Sequence, residues 1–279
     1  MHDEIGYWSE LKLEIIKKYA AAYSKILDSS VKRGEVKKYI YVDAFAGSGK
    51  HISKTSGNLV KGSPQIALDV APPFHEYHFI DLNEDKTASL KDIARDKKNV
   101  FIHEGNCNNI LMKIYPRAKW NDYHRALVLL DPYGLDLNWE AMYTAGAMKS
   151  IEIFLNFPIM DMNRNVLWDN HGSVDTKQIS RMNAFWGDDS WREAAYAKQG
   201  DMFGGEISVP KQKHGVVDAF KKRLKEVAGF KFVPDPIPMR NSNGAVVYYL
   251  FFASPNDKGA KIVREIFDKY RNMGMKYAG

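Results

Sequence analysis

The chain has 279 residues, 45% of them hydrophobic and 27% charged, which is enough for one large domain with a sizeable core. Its single cysteine, Cys107, excludes an internal disulfide framework and a metal site built on several thiolates. The chain has neither an apolar run of about 18 residues nor a signal-peptide pattern, so we expect a cytoplasmic protein with no membrane partner. The formal net charge of +6 favours acidic partners, most commonly nucleic acid, but a basic protein without such a partner fits it equally well.

The first two-thirds of the chain alternate between helical and strand patterns. An N-terminal helix over 7–28 is predicted because apolar residues recur at helical spacing from Leu11 to Tyr19. Short β-rich runs then alternate with amphipathic ones, which is typical of a parallel sheet covered by helices. The predicted strands are 38–43, 77–81, 100–104, 126–131 and 151–157. The predicted helices that follow are 63–71, 84–95, 107–115, 138–148 and 212–228.

The C-terminal part predicts an antiparallel hairpin. Two β-rich runs, 230–240 and 245–253, flank Asn243-Gly244, a strong hairpin signal, and a final helix follows at about 257–272. Five βα units followed by a hairpin is the order of the Rossmann-like class I methyltransferase fold, whereas a dinucleotide-binding dehydrogenase continues with a sixth parallel strand. We therefore predict a single α/β domain over 1–279, with a mostly parallel seven-stranded sheet.

Two segments do not fit this sheet as core elements. One is a Gly/Ser/Lys loop at 48–61, and the other is a polar insertion at about 160–210. Segments of this length in a compact domain are usually functional, so we predict that the insertion forms a helical and loop lid whose aromatic residues contact the substrate. Those aromatic residues are Trp168, Phe185, Trp186, Trp191, Tyr196 and Phe203.

A glycine-rich turn, Asp43–Gly49, follows the first predicted strand of the sheet. It is not a P-loop, because Ala44 replaces a required glycine and His51 replaces the magnesium-binding Ser or Thr. It is not a dinucleotide fingerprint either, because Ile52 stands where the third glycine belongs. The pattern fits S-adenosylmethionine (SAM), whose methionine part lies over such a turn, although an ordinary strand-to-loop turn remains an alternative. The residues assigned to SAM are Asp43, Phe45, Gly47 and Gly49.

Further cofactor residues are predicted after the next two strands. Asp81 ends the second strand, where an acid accepts hydrogen bonds from a ribose diol; alternatively it caps the following helix. It lies 38 residues after Asp43, more than the usual spacing of about 20, and the loop at 48–61 accounts for the excess. Asn106 and Cys107 follow the third strand, where the Asn106 amide would bind the adenine amino edge; the alternative is a turn or a capping box.

The predicted chemistry lies in Asp131-Pro132-Tyr133-Gly134, after the fourth strand, where ligands bind in α/β sheets. Pro132 stiffens the backbone, so its carbonyl and the Asp131 carboxylate form two fixed acceptors, which suit the two protons of an exocyclic amine. Tyr133 is placed to stack on a base. A plain β-turn is the alternative. Asn156-Phe157-Pro158, after the fifth strand, is a second candidate of the same type.

The remaining charged residues predict no further site. The histidines lack metal-ligand spacing, so no metal is expected. The lysine-rich runs near 211–225 and 258–269 are interpreted as solvated helix faces rather than as a dedicated patch.

Several of these motifs resemble the three-Cys-motif partner proteins, which are bacterial and phage-associated methyltransferase-like proteins encoded near a protein with a three-cysteine motif. The resemblance covers about 38–160, and it implies the class I fold, SAM binding and a three-cysteine-motif protein as a partner, but no particular substrate. The motifs that carry it are Asp43–Gly49, Lys61–Leu68, Phe79–Asp81 and Leu130–Gly134.

The fourth-strand motif is also similar to those of two groups of nucleic-acid methyltransferases. One is the D/N-P-P-Y/F motif of adenine amino-methyltransferases, and the closer one is the D-P-F-G form of tRNA guanine-N2 methyltransferases. This chain has one proline, Pro132, rather than two, which puts adenine N6 in doubt and leaves guanine N2 or a non-nucleic amine open.

Our leading hypothesis is a SAM-dependent methyltransferase acting on an amine of a nucleic-acid base, with Asp131, Pro132 and Tyr133 as its catalytic residues. One alternative is a non-catalytic SAM-binding partner of a three-cysteine-motif protein. Another is a small-molecule methyltransferase whose pocket is roofed by Trp186 and Trp191. The sequence does not predict an oligomeric state.

Overall fold

The computed structural model describes residues 3–168, 174–200, 206–210, 215–241 and 243–276. The strands, in chain order, are β1 (Asp3–Ile5), β2 (Lys38–Asp43), β3 (Lys50–Ser53), β4 (Leu59–Lys61), β5 (Glu76–Asp81), β6 (Val100–Glu104), β7 (His124–Leu130), β8 (Ile151–Phe157), β9 (Tyr196–Gly200), β10 (Glu206–Pro210), β11 (Ile237–Arg240) and β12 (Val246–Ala253). The α-helices are α1 (Tyr7–Lys32), α2 (Ser63–Leu68), α3 (Glu84–Ile93), α4 (Cys107–Ile114), α5 (Trp139–Met148), α6 (Ile159–Asn165), α7 (Thr176–Trp186), α8 (Trp191–Ala195), α9 (Gly215–Glu226) and α10 (Asp257–Lys276).

A seven-stranded sheet in the order β11-β12-β8-β7-β2-β5-β6 forms the centre of the molecule. Neighbouring strands from β6 to β8 are parallel, whereas β12 runs antiparallel to both β8 and β11. Counted along the chain, these strands lie in the order 3-2-1-4-5-7-6. That is the order of the class I methyltransferase fold, so the predicted fold class is confirmed, and the predicted bounds of its first five strands hold to within two residues.

The central strands β5, β2, β7 and β8 are buried on both faces, as expected for a parallel sheet between helices. In β2, Tyr39 and Tyr41 point into one hydrophobic cluster and Ile40 and Val42 into another. Helices α1, α2, α3 and α10 cover the first face, and α4 to α9 cover the second. The alternating side chains of a six-residue strand therefore contribute to two separate cores.

A buried carboxyl fixes the position of α1 against the sheet. The Tyr19 hydroxyl donates to Glu152 of β8, and Ser254 Oγ donates to the same carboxyl at 2.9 Å. Burial raises the pKa of Glu152 to about 7, although both hydrogen bonds act against this shift. The contact holds the N-terminal helix across β8 and β12, and so sets where its first turns lie relative to the sheet.

The helices described within the insertion at 160–210 pack into the core instead of forming the predicted aromatic lid. Phe185, Trp186, Trp191 and Tyr196 are buried and belong to the hydrophobic cluster that also includes Phe220 of α9. For these four residues the predicted substrate contacts are wrong, and so is the pocket roofed by Trp186 and Trp191. Apolar rings at these positions bury more surface by packing on α9 and β8 than by facing solvent. Among the other residues of that prediction, Trp168 is exposed and Phe203 lies outside the described residues.

The loop predicted at 48–61 forms a small second sheet. Strands β3 and β4 make a hairpin, and β1, at the N-terminus, adds to β3 in parallel with Asp3 opposite His51. Strand β1 was not predicted, because a strand of three residues has no periodicity to detect. The N-terminal arm is therefore tied to the glycine-rich turn.

The C-terminal hairpin forms as predicted, but with a shorter first strand and a longer turn. Only β11 is a strand in the run 230–240, because Pro234 and Pro236 lack the N–H groups that a ladder needs. The connection closes through Asn241, whose Oδ1 accepts from the N–H groups of Asn243 and Ala245 at 3.0 Å each.

We expect Trp191→Ala to lower the free energy of unfolding by about 3–5 kcal/mol, because it empties a fully buried site. Trp168→Ala, which truncates a side chain that is 41% exposed, should cost about 1 kcal/mol, mainly through its hydrogen bond to the Arg164 carbonyl. Urea denaturation of the two variants measures the difference, and equal losses would contradict the placement of Trp191 in the core.

Candidate functional site

A cavity of about 240 Å³ lies where β2 and β7 end. The two strands are parallel and adjacent, with Asp43 opposite Leu129, so the turns that follow them meet at the same edge of the sheet. Five predicted site residues line the cavity, namely Phe45, Gly47, Asp131, Pro132 and Tyr133. None of its lining residues comes from the described part of the insertion.

The two predicted glycines have different surroundings. Gly47 has a φ of 63°, and a Cβ added there would meet only His51 Cε1 at 3.9 Å, which leaves open space for a ligand to approach the backbone. Gly49 has a φ of 78°, and its Cβ would lie 2.7 Å from Ile93 Cδ1 of α3. Close packing on α3 therefore accounts for Gly49, whereas Gly47 faces the cavity.

Asp81 holds the glycine-rich turn in place. Its Oδ2 accepts from the Gly47 N–H at 2.8 Å, and its Oδ1 accepts from the Asn83 N–H at 2.9 Å. A carboxylate has about four acceptor positions, so these bonds use two of them; Asp81 is itself buried and does not line the cavity. The next residue, Leu82, is 74% exposed; sequence analysis did not single it out, although an apolar residue directly after a strand-end acid is a readable signal.

Asn106 and Cys107 lie outside the cavity. Asn106 caps α4, with its Oδ1 accepting from the Asn108 N–H at 2.9 Å, which is the capping alternative of the sequence analysis. Its Nδ2 group remains available as a donor. Burial raises the pKa of Cys107 to about 12, so this side chain stays a thiol and packs as an apolar residue.

The central feature of the cavity is an ion pair between Lys12 of α1 and Asp131 Oδ2. Burial lowers the pKa of Lys12, but the Asp131 carboxylate, the Tyr248 hydroxyl and Asp43 outweigh that effect and raise it overall, so Lys12 is a permanent cation. Among the described residues, none donates a hydrogen bond to Oδ1 of Asp131. The carboxylate that the sequence predicts to accept an amine thus binds an ammonium group of its own chain, which sequence analysis did not foresee.

A second carboxyl, Asp43, lies fully buried behind the turn. Burial raises its pKa to about 7, opposed by the Ser63 hydroxyl, and the negative charge of Asp131 adds to the rise. The positive charge of Lys12 acts in the opposite direction. Two carboxyls therefore share one buried cation, and the outer one, Asp131, forms the ion pair.

The N-terminal arm forms one wall of the cavity. Lys86 of α3 pairs with Asp3 of β1 at 2.7 Å and donates to the Tyr133 hydroxyl at 3.3 Å. Tyr133 is 61% exposed, so part of its ring faces solvent at the cavity mouth. The predicted stacking residue is therefore at the surface, and β1 lies directly beside it.

Two further polar atoms in the cavity wall have no hydrogen-bond partner within the described ranges. They are Asn156 Oδ1, from the second candidate motif of the sequence analysis, and His51 Nδ1. Buried polar atoms are nearly always hydrogen-bonded in folded proteins. The unpaired Asn156 Oδ1 is therefore an acceptor that a ligand in the cavity could use.

No group of three or more His, Cys, Asp and Glu residues in the ranges that the structure describes is arranged to hold a metal ion. None of the helices in the same ranges is both long and apolar enough to cross a membrane.

Comparison with known proteins supports the fold. No family model matches the chain, and no curated protein matches it in sequence. Among solved structures, it is similar to a Legionella pneumophila protein of family DUF519, with a TM-score of 0.53 and 11% identity over 93% of this chain and 92% of that one.

Two SAM-dependent methyltransferases are more distant in structure. The one from Clostridium acetobutylicum has a TM-score of 0.39 and 11% identity over 86% of this chain and 91% of that one. The one from Methanosarcina mazei has a TM-score of 0.34 and 9% identity over 78% and 92%. At these TM-scores the two methyltransferases support no conclusion about this chain, and the evidence for the fold is the strand order and the Legionella structure.

The Lys12–Asp131 pair predicts a strongly non-additive pair of substitutions. Lys12→Met should lower the free energy of unfolding by about 2 kcal/mol, because removing one partner of a partly buried pair leaves the other charge uncompensated. Asp131→Asn should cost a similar amount, and the double variant should recover most of the loss. Additive losses in chemical denaturation would mean that the two side chains do not interact in solution.

The raised pKa of Asp43 predicts how stability depends on pH. The folded carboxyl keeps its proton up to about pH 7, whereas the unfolded one releases it near its model value of 3.8. Wild-type protein should therefore lose up to about 4 kcal/mol relative to Asp43→Asn as the pH rises from about 4 to above 7. Denaturation of both proteins across this range measures the difference, and a difference that stays constant with pH would contradict the burial of a titrating Asp43.

Proposed function

We propose that this protein is a SAM-dependent methyltransferase that acts on an amine of a nucleic-acid base. One observation carries the proposal: the turn after β7 places Asp131 and Tyr133 against the Gly47 turn in one cavity, and Asp131 binds an ammonium group there. A carboxylate that accepts one N–H donor at this position is suited to accept another.

The residues around the cavity fit SAM. Gly47 leaves its backbone open, Asp81 holds the Gly47 turn, and Leu82 presents an exposed apolar side chain directly after Asp81. A volume of about 240 Å³ is smaller than the roughly 300–1,000 Å³ of a site that encloses a whole ligand. The cavity therefore suits the reacting ends of cofactor and substrate, while Asp81, Leu82 and Asn106 would hold the adenosine outside it.

The chain's own contribution to the reaction is to orient the amine. When bound, SAM supplies a methyl group on a sulfonium leaving group, so positioning is the main requirement. Oδ1 of Asp131 would accept one amine N–H, and the Pro132 carbonyl would accept the other. The Lys12 ammonium on Oδ2 fixes the orientation of the carboxylate. As the amine gains its methyl group it becomes acidic, and Oδ1 is the acceptor placed to take the released proton.

A nucleic-acid base is favoured as the source of the amine by charge and by Tyr133. The chain carries a net charge of +6, which suits a polyanion. Tyr133 offers a solvent-exposed ring beside Asp131, on which a base can stack. A base within a duplex would have to be flipped out to reach Asp131.

The Lys12–Asp131 pair also favours a second function, that of a SAM-binding protein without turnover. If the Lys12 side chain also fills the space beside Oδ1 of Asp131, the amine site is closed while the Gly47 and Asp81 side stays open to cofactor. In that case the protein would act with a partner, for which the resemblance to the three-Cys-motif partner proteins suggests a three-cysteine-motif protein. Turnover distinguishes the two functions.

The test is a crossed pair of substitutions. Asp131→Asn should leave SAM affinity in calorimetry nearly unchanged but reduce methyl transfer by about a hundredfold or more, because it removes a charge-assisted contact to the reacting amine. Asp81→Asn should instead weaken cofactor binding first, because it loses one ligand acceptor and loosens the Gly47 turn. Methyl transfer is measured with labelled SAM on tRNA, ribosomal RNA fragments and DNA.

Asp122→Asn is the matched control, because Asp122 is an exposed acid just before β7, at the opposite end of that strand from Asp131. Its activity should equal that of the wild type. An Asp81 effect without any turnover would favour the non-catalytic function, and no heat of binding with SAM or its demethylated product would refute both.

A further inference from the structure

A second, larger groove lies at the opposite edge of the central sheet. Its volume is about 1320 Å³, and its walls come from separate parts of the chain. These parts are 119–121, 147–149, 225, 229–232 and 255–257. The groove lies before the start of β7 and the cavity after its end, so a seven-residue strand separates them, about 23 Å at the usual rise per residue.

Four exposed lysines line the groove, and none of them forms an ion pair with any described residue. They are Lys119, Lys149, Lys225 and Lys231. Asp257 is the acidic residue of the lining, and it is already paired with Lys261 at 2.8 Å. The lining therefore holds four lysines and one acid, and that acid is neutralised by a lysine outside the groove, so the groove carries a net positive charge.

An aromatic side chain is presented beside these lysines. Trp120 lines the groove and is 53% exposed. The guanidinium of Arg125 lies 3.7 Å from the centroid of its ring, which supports the ring in a fixed orientation. An exposed indole ring next to four cations matches the combination of stacking platform and positive track that binds single-stranded nucleic acid.

We propose that this groove binds single-stranded nucleic acid, with the four lysines on its phosphates and one base stacked on Trp120. A duplex could contact the lysines, but its bases are stacked on one another and could not stack on Trp120. A polyanion without bases could bind the lysines but would gain nothing from Trp120. The groove is too far from Asp131 to hold the reacting nucleotide, so it anchors a neighbouring stretch of the strand. This inference goes beyond methyl transfer and holds whether or not the cavity is catalytic.

The experiment measures binding of a labelled oligo-uridine of about 12 nucleotides, within the range that single-strand binders cover, by fluorescence anisotropy without SAM. Four phosphate contacts predict a log–log slope of affinity against salt of about −3, which is about a fiftyfold loss between about 50 and 200 mM salt. Lys119→Ala/Lys231→Ala should reduce the slope to about −1.5.

The control is Lys25→Ala/Lys91→Ala, which removes the same charge from exposed, unpaired lysines on α1 and α3. It should keep the wild-type slope. Trp120→Ala should weaken oligo-uridine binding about tenfold, since a stacked base is lost, and leave heparin binding unchanged.

Equal slopes for the two double variants would overturn the proposal, as would tighter binding of a duplex or of heparin than of oligo-uridine. This experiment does not measure methyl transfer, so a negative result would not bear on the proposed reaction, which is tested separately. Conversely, loss of turnover in Asp131→Asn should leave oligo-uridine binding in the groove intact.

Discussion

The parallel pairing of β2 with β7 at the centre of the sheet is the constraint on which the rest of the molecule depends. With Asp43 opposite Leu129, the glycine-rich turn and the Asp131 turn must emerge at the same edge. The other strands pair on either side of β2 and β7, out to β6 on one side and β11 on the other, and they do not alter where these two turns meet. The cavity therefore follows from sheet geometry, and its chemistry depends on which side chains these two turns carry.

Charge compensation shapes what the cavity can do. Asp43 and Asp131 lie close enough for the charge of Asp131 to raise the pKa of Asp43, and Lys12 is the cation that the two share. Lys12 reaches them because α1 is fixed to β8 through Glu152 and Tyr19. The N-terminal helix is thus part of the site, and its attachment to the sheet controls how the acceptor carboxylate is used.

The two edges of the sheet differ in their electrostatics. At the carboxyl edge of the parallel strands, carboxylates and unpaired polar atoms surround a small cavity, with one buried cation among them. At the opposite edge, four unpaired lysines and an exposed indole surround a wide groove. A polyanion would be attracted to the lysine-lined groove and, without a neutralising contact, repelled from the carboxylates of the cavity. The surface that attracts a polyanion and the site of the proposed chemistry therefore lie at opposite ends of β7.

The sequence by itself determined the central strands, the helices between them, their class I order and the residues at the strand ends. These follow from local signals, since apolar periodicity, glycine and proline act over a few neighbouring residues. Asp131, Tyr133 and Gly47 were predicted in this way, and the structure brings them to one cavity. The same local rules failed for the insertion, where aromatic content alone does not separate a core from a lid.

Only the tertiary structure decided the features that depend on contacts between distant segments. Lys12 and Asp131 are 119 positions apart, and the lysines of the groove come from four separate stretches of the chain. The burial of Trp191 and the raised pKa of Asp43 likewise depend on what packs around each side chain. Burial and electrostatic energies are set by the three-dimensional surroundings of a group, and no local pattern in the sequence encodes those surroundings.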